Sequence, residues 1–225
     1  MLVRLTAGRT LNTLADIGLT SSSNSTVNLC EHTYTKGNVI FGEQEPAEYV
    51  YQVKKGAVRS YKLLSDGRRQ IGAFHLEGDL FGLTSGETHR FTAEAVVTTT
   101  LRLIKRKSLE TTAGADRVLV RDLLSMTTQS LQHAEDHMLL LGRKDALERV
   151  AAFLLEMDKR LTDSGVISLP MKRRDIADYL GLTVETVSRV LSRLRGAGAV
   201  SFSGTTQREI VILDRKHLSS LDLQG

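Results

Sequence analysis

The sequence predicts an α+β chain in three parts: a β-barrel, a long helix, and a helical hairpin followed by two short strands. Three observations predict this order. Between about Glu31 and Ser108, short apolar runs are separated by frequent glycines. From Val120 to Leu141, apolar or small side chains keep one helical repeat. Residues 171–213 then combine two short amphipathic helical segments with a pair of strands.

The first part, residues 27–112, has the pattern of a jelly-roll barrel. The clearest strand candidates are Val50–Val53, Ala57–Tyr61, Gln70–Phe74 and Leu101–Ile104. Asp66-Gly67 predicts a tight hairpin, because this pair tolerates the positive φ that such turns need. Many short, evenly spaced strands favour a barrel or jelly roll. Residues 1–26, which end in a polar run, are predicted to form a flexible arm outside the main fold.

The second part, residues 113–141, is predicted to be a dimerisation helix. Its seam repeats at alternating steps of four and three residues, which is the heptad pattern of a coiled coil. The seam residues are Val120, Leu124, Thr127, Leu131, Ala134, Met138 and Leu141. The alternative is an amphipathic helix buried in the chain's own core. Gly142 is expected to end this helix, and Ala146–Leu161 to form another amphipathic helix.

The third part, residues 142–225, contains a helix-turn-helix motif at Arg173–Ser192. Ala177 provides the small side chain needed where two helices cross, and Gly181 allows a positive φ at the turn. Thr183 is a good N-cap for the second helix. Strands at Val200–Phe202 and Glu209–Leu213 would complete a winged helix. An ordinary helical hairpin is the alternative, but residue types and spacing together favour DNA binding.

The second helix of the motif presents a face suited to the major groove of DNA. The predicted base contacts on this face are Val184, Glu185, Ser188 and Arg189. We expect Arg189 to bind guanine O6 and N7, and Glu185 to accept from a cytosine amine. The predicted phosphate contacts are Lys172, Arg173, Arg174, Thr183, Thr186, Arg193, Arg195 and Arg208.

The composition is compatible with a polyanionic partner, and the sequence has few residue patterns that are typical of catalysis or metal binding. The net charge is +4, and residues 171–195 contain six basic and three acidic side chains. The single cysteine, Cys30, excludes an internal disulfide and a four-cysteine iron–sulfur cluster within one chain. The sequence has no apolar run of the roughly 18 residues that span a bilayer, and we expect a reducing cytoplasm. Without a phosphate loop, a metal-spaced cluster or a nucleophile elbow, we predict no enzyme and no metal. The alternative is a small-molecule-binding barrel or enzyme with an incidental helical hairpin.

The order of barrel, long helix and winged helix over residues 30–216 resembles the cyclic-AMP receptor/FNR (CRP/FNR) superfamily of transcription regulators. The run Leu182–Arg189, LTVETVSR, and the barrel stretch Phe74–Leu83 are similar to the FNR and FixK branches. The resemblance implies a cytoplasmic homodimer that binds the palindrome TTGAT-N4-ATCAA, contacts RNA polymerase and activates genes in low-oxygen or nitrogen-oxide-linked control. Val184 stands where the cyclic-AMP branch has an arginine, which favours TTGAT over TGTGA half-sites.

The resemblance also bears on the effector. The FNR branch holds its cluster on four cysteines, and the cyclic-AMP branch binds its ligand through Gly-Glu-Leu and Arg-Ser. Here the corresponding positions are Gly82-Leu83-Thr84 and His89-Arg90, without the glutamate. Similarity to the FixK-like branch therefore implies a regulator that needs no cofactor. A cyclic-nucleotide-dependent or haem-dependent regulator is the alternative, because His32, His75 and His89 lie in the first part.

Overall fold

The structure, a computed structural model, describes residues 10–13, 26–162, 164–203 and 208–222, which form two compact units. The first unit contains the described residues up to Lys62 together with Phe74–Gln132. The second contains Leu63–Ala73 and the described residues from His133 onwards. A turn and most of one strand from the middle of the barrel sequence therefore group with the C-terminal part of the chain. No helix of the described residues is long and apolar enough to cross a membrane.

Two antiparallel sheets form the barrel. Its strands are β1 (Thr10–Thr13), β2 (Thr26–Tyr34), β3 (Val39–Phe41), β4 (Tyr49–Lys55), β5 (Val58–Leu63), β6 (Arg69–His75), β7 (Leu80–Phe81), β8 (Thr92–Ala95) and β9 (Thr99–Lys105). One sheet has the order β1-β2-β9-β4-β7 and the other β3-β8-β5-β6. Buried side chains of both sheets meet in one core, with Phe41 and Val58 against Tyr51 and Leu101. The predicted β-rich barrel is confirmed.

The N-terminal segment differs in part from its prediction. Thr10–Thr13 forms strand β1 and pairs antiparallel with β2, with Thr10 opposite Leu29 and Thr13 opposite Thr26. Pairing at a sheet edge needs only backbone N–H and C=O groups, so a polar sequence can form it without an apolar signal. The prediction of an arm outside the fold is wrong for these four residues. The rest of residues 1–25 lies outside the described residues.

Two helices follow the barrel, α1 (Arg106–Ala115) and α2 (Arg117–Arg143). They divide at Asp116, whose carboxylate accepts the N–H groups of Val118 and Leu119. Within the first unit, α2 buries Leu119 against Val50 and Ile104. Helix α2 ends at Arg143, one residue after the glycine that was expected to end it. The boundary is set instead by Asp145, which caps the next helix through a capping box with Glu148.

Besides Leu63–Ala73 and the end of α2, the described residues of the second unit form four helices and a three-stranded sheet. Its elements after α2 are α3 (Ala146–Leu161), β10 (Val166–Ser168), α4 (Arg173–Leu180), α5 (Val184–Gly196), β11 (Val200–Ser203), β12 (Glu209–Ile212) and α6 (Arg215–Asp222). The sheet order is β10-β12-β11, so the predicted two-stranded wing gains a third strand. Asp158 of α3 is fully buried; it pairs with Arg215 of α6 and accepts the N–H of Gly165.

Candidate nucleic-acid interface

The turn between α4 and α5 has the geometry that its residues predict. Gly181 lies in the left-handed region at φ 63°, and its N–H bonds to the carbonyl of Ala177. A Cβ at position 181 would meet its nearest neighbour at 3.5 Å, so glycine is needed for the backbone conformation rather than for space. Thr183 caps α5 by accepting the N–H of Thr186 at 3.2 Å. The two helices are therefore fixed at a tight, well-formed turn.

The two helices bury one face each and share a small core. The buried residues are Asp175, Ile176, Ala177, Tyr179 and Leu180 on α4 and Val187, Leu191 and Leu194 on α5. Leu182 and Val190, the neighbouring apolar residues, are half-buried. Leu191 and Leu194 continue the helical spacing from Val187, which places the three side chains on one face of α5.

Side chains from α2 and α3 bind the carbonyl groups at the end of α4. The guanidinium group of Arg149 donates to the carbonyl oxygens of Leu180 at 2.9 Å, Leu141 at 2.9 Å and Lys144 at 2.8 Å. His137 donates from Nε2 to the carbonyl of Tyr179 at 2.9 Å. Carbonyls at the end of a helix have no partner within the helix, so the contacts to Tyr179 and Leu180 satisfy them and fix the end of α4. The contacts to Leu141 and Lys144 join Arg149 of α3 to the end of α2. Sequence reasoning did not find Arg149 or His137, because their partners are distant along the chain.

The four predicted base contacts lie on the outward side of α5. Glu185 and Arg189 are exposed, and Val184 and Ser188 are half-buried. The pKa of Glu185 lies below its usual range, because its own backbone N–H and the Thr183 hydroxyl bond to the carboxylate, with further help from the charge of Arg189. Arg189 itself donates to the Thr186 hydroxyl at 3.4 Å. Glu185 thus stays an anionic acceptor beside the guanidinium group that is predicted to read guanine.

Arg173 joins α5 to the wing. Its Nη1 donates to the Ser188 hydroxyl at 3.2 Å, and its guanidinium carbon lies 6.0 Å from the ring centre of Phe202 on β11. Arg195 lies over the same ring at 5.9 Å. Contacts of this kind between a cation and an aromatic face are attractive. Two predicted phosphate contacts therefore flank an aromatic side chain that sequence reasoning did not single out.

The remaining predicted phosphate contacts surround this face. Lys172, Arg174 and Arg193 are exposed, and none of the three forms a salt bridge with the described residues. Thr183 is exposed, whereas Thr186 and Arg208 are half-buried. Lys172 and Arg174 lie at the start of α4, where the positive end of the helix dipole disfavours cations. A bound phosphate would relieve that conflict.

The predicted dimer seam is an exposed apolar stripe on α2. Val120, Leu124, Leu131 and Met138 are 47%, 64%, 58% and 65% exposed, far more than apolar side chains in a core. Thr127 and Ala134 are exposed, and Leu141 is half-buried. An apolar stripe of this length is typical of a protein–protein contact.

The interior of the barrel does not fit a cyclic nucleotide. Phe41, Tyr51 and Phe81 pack together there, with ring centres 5.2 to 6.1 Å apart. His89 is buried and stacks on Phe41 at 3.6 Å, whereas Arg90, the neighbouring cation, is exposed. Neither position repeats the Arg-Ser pair that would hold a cyclic phosphate.

Burial raises the pKa of the Cys30 thiol, which is the reverse of what a reactive thiolate needs.

Comparison with known proteins agrees with this architecture. Residues 31–115 match the cyclic nucleotide-binding domain, and residues 148–221 match the Crp-like helix-turn-helix domain. The nitrogen fixation regulation protein FixK of Azorhizobium caulinodans is 45% identical over 194 residues, covering 84% of this chain and 77% of that protein. The chain belongs to the FixK type of the CRP/FNR family.

Other members of this family extend the comparison. The transcriptional activatory protein AadR of Rhodopseudomonas palustris is 42% identical over 172 residues, covering 74% of this chain and 72% of that protein. The solved structure of FixK2 from Bradyrhizobium japonicum is 62% identical, with a TM-score of 0.83, over 88% of this chain and 98% of that chain. As a member of the FixK type, the protein is a helix-turn-helix DNA-binding regulator rather than an enzyme.

Proposed function

We propose that a homodimer of this protein binds the inverted repeat TTGAT-N4-ATCAA and activates transcription through contact with RNA polymerase. The observation that carries the proposal is the outward face of α5, where Glu185 and Arg189 stand exposed within a rim of basic side chains. An exposed rim of this kind can neutralise phosphates while the helix enters the major groove. The printed description of AadR as a transcriptional activatory protein supports activation.

The half-site follows from the side chains on that face. Arg189 donates two hydrogen bonds to guanine O6 and N7, and Glu185 accepts from the amine of a cytosine. Val184 offers only methyl groups, which suit the methyl group of thymine. Ser188 adds a hydrogen bond, with its hydroxyl held by Arg173. These side chains favour TTGAT over TGTGA.

The proposed regulator needs no small molecule to bind its operator. The aromatic packing inside the barrel and the exposed Arg90 support this, because neither provides a pocket for a cyclic phosphate. Control of low-oxygen or nitrogen-oxide-linked genes in the cytoplasm is the expected setting. The printed description of FixK as a nitrogen fixation regulation protein supports that setting.

Selection from random double-stranded DNA with purified, ligand-free protein tests the specificity. We expect enrichment of two inverted TTGAT half-sites separated by four base pairs. Enrichment of TGTGA would contradict the proposed roles of Val184 and Arg189. Enrichment only after a cyclic nucleotide is added would contradict ligand-independent binding.

The exposed stripe on α2 is the proposed dimer contact. Leu131→Glu would place two carboxylates against each other in a buried seam, where an unpaired charge is costly. We expect a monomer at micromolar concentration and a loss of operator affinity of about 10²- to 10⁴-fold, because the second half-site loses its effective concentration. Gln129→Glu, which adds the same charge at an exposed position outside the seam, is the control. Sedimentation that shows a dimeric Leu131→Glu protein would place the contact elsewhere.

A further inference from the structure

We propose that Arg69 and Gln70, at the start of β6, are positioning residues that hold helix α4 so that α5 can read bases. The two residues belong to the segment Leu63–Ala73, which groups with the second unit. They lie about a hundred residues before α4 in the chain. The inference rests on the operator binding proposed above and assigns a role in it to a segment outside the helix-turn-helix sequence.

Arg69 binds two carboxylates of α4. Its Nη2 donates to Asp175 Oδ1 at 2.7 Å and to Asp178 Oδ2 at 2.7 Å, and its Nε donates to Asp178 Oδ2 at 2.9 Å. The side chains of Arg69, Asp175 and Asp178 are 18%, 5% and 23% exposed. Because water is largely excluded, the charges are screened weakly and the geometry of the ion pairs is well defined.

Gln70 and the other oxygen of Asp175 extend these contacts to both ends of α4. The amide group of Gln70 donates to the carbonyl of Tyr179 at 3.3 Å, beside the hydrogen bond from His137. At the start of the helix, Asp175 Oδ2 accepts the N–H of Lys172 at 3.1 Å. The segment Leu63–Ala73 therefore contacts the last turn of α4 and also the carboxylate that closes its first turn.

Asp175 and Asp178 need a cation at this position. The two carboxylates lie three residues apart on one helix face, where like charges repel. A carboxylate as buried as Asp175 is strongly destabilising if its partner is removed. Without Arg69, we expect α4 to shift until Asp175 reaches water. Helix α5, which packs on α4, would shift with it.

The adjacent residue provides a matched control. Arg68 is 78% exposed and pairs with Asp66 inside the turn itself. Arg68→Met and Arg69→Met remove the same charge from neighbouring positions, so any effect of net charge on DNA binding is common to both. Only Arg69→Met removes a contact to α4.

The first experiment measures DNA affinity of the full-length variants for the operator and for a scrambled duplex, with the active fraction fixed by titration at high concentration. We expect the ratio of operator to scrambled affinity to fall about 5- to 150-fold in Arg69→Met, the range typical of coupling between distant groups. Scrambled binding and its salt dependence should stay those of Arg68→Met, because they depend on phosphate charge. An equal loss on both duplexes, or equal ratios in the two variants, would overturn the proposal.

The second experiment needs no DNA and so separates this inference from the proposed function. Hydrogen exchange of the α4 amides is measured in the free protein. We expect faster exchange in Arg69→Met than in Arg68→Met, with partial recovery in Arg69→Lys, which keeps the charge but not the paired donors. Asp178→Asn should add little further exchange in the Arg69→Met background. Unchanged exchange in Arg69→Met would overturn the proposal even if the operator assignment is correct, and failure of the unmodified protein to bind any duplex would refute the proposed function alone.

Discussion

The two helices of the helix-turn-helix motif differ in how they are supported. Helix α4 buries five of its eight residues and receives hydrogen bonds from Gln70, His137 and Arg149 at its end. Helix α5 buries three of thirteen residues and keeps Glu185 and Arg189 exposed. The difference indicates that α4 is a fixed support, whereas α5 keeps an open face for the proposed contact with DNA.

The difference in burial between α4 and α5 has a physical reason. Side chains that recognise base edges must reach beyond the protein surface, so they cannot also be fixed by packing in its core. The neighbouring helix supplies the fixed geometry instead, and its polar groups are satisfied inside the protein. Substitutions of the buried residues of α4 should therefore act on stability, and substitutions on the outward face of α5 should act on specificity.

The largest effect is expected from Tyr179→Ala. Tyr179 is 2% exposed, and its ring stacks on His137 with centres 4.0 Å apart. Truncation would leave a cavity and lower the free energy of unfolding by about 3 to 5 kcal/mol. Urea unfolding measures this change. Tyr179→Phe, which keeps the ring and removes the hydroxyl that reaches Glu156, is the control and should cost about 1 kcal/mol. Equal losses in the two variants would show that the ring does not support the second unit.

Arg189→Ala should weaken DNA binding and leave the stability of the protein almost unchanged. The side chain is exposed and its hydrogen bond to Thr186 is long, at 3.4 Å, so the free energy of unfolding should change by less than about 0.5 kcal/mol. Operator binding should weaken by about 1 to 3 kcal/mol, with weaker selection at the guanine. Binding to operators with each base substituted at that position measures the selectivity. If Arg189→Ala still preferred guanine, the base would be read by another side chain.

The turn and the helix cap of the motif were predictable from the sequence, but the side chains from other elements that hold the motif in place were not. Gly181, Thr183 and the bounds of α3 follow from turn, cap and periodicity rules that act over a few residues. Arg149 and Phe202 looked like an ordinary helix residue and an ordinary strand residue. Their roles depend on which distant groups the fold brings to them.

The dependence on distant parts of the chain also explains why the third strand of the wing was not predicted. Strand β10 has three residues, too few for an alternating pattern to stand out, and forms because β12 offers an edge. Gly142 lies in the last turn of α2, where a glycine costs about 1 kcal/mol, and the helix ends one residue after it. Arg69 gave no signal at all, because its carboxylate partners belong to another part of the chain.

A smaller effect is expected where basic side chains touch the DNA backbone. Lys172→Ala and Arg174→Ala remove exposed charges near the start of α4. Each should weaken binding to operator and scrambled DNA alike, and lower the slope of log affinity against log salt by about one unit, because one phosphate is no longer neutralised. Lys36→Ala, an exposed charge in the first unit, is the control and should leave the slope unchanged. Equal slopes in Lys172→Ala, Arg174→Ala and Lys36→Ala would exclude the first two side chains as phosphate ligands.

The smallest expected effect is a pH dependence of the free energy of unfolding that comes from His137, beside the end of α4. Burial lowers the pKa of His137 below its ordinary value near 6.5, although the hydrogen bond to Tyr179 and the charge of Glu156 act against this. The folded chain therefore keeps the ring neutral at pH values where the unfolded chain binds a proton. Stability should hold above about pH 6.5 and fall as the pH drops below that value towards the folded pKa.

A variant that does not titrate isolates this contribution. His137→Gln keeps a donor for the Tyr179 carbonyl but takes up no proton. Urea unfolding from about pH 7.5 to 5 should thus show a shallower fall in stability for His137→Gln than for the unmodified protein. The pH dependence from His89, whose pKa burial also lowers, is common to both. Parallel curves for the two proteins would mean that His137 titrates alike in the folded and unfolded states, and that the last turn of α4 is more open to water than its buried contacts indicate.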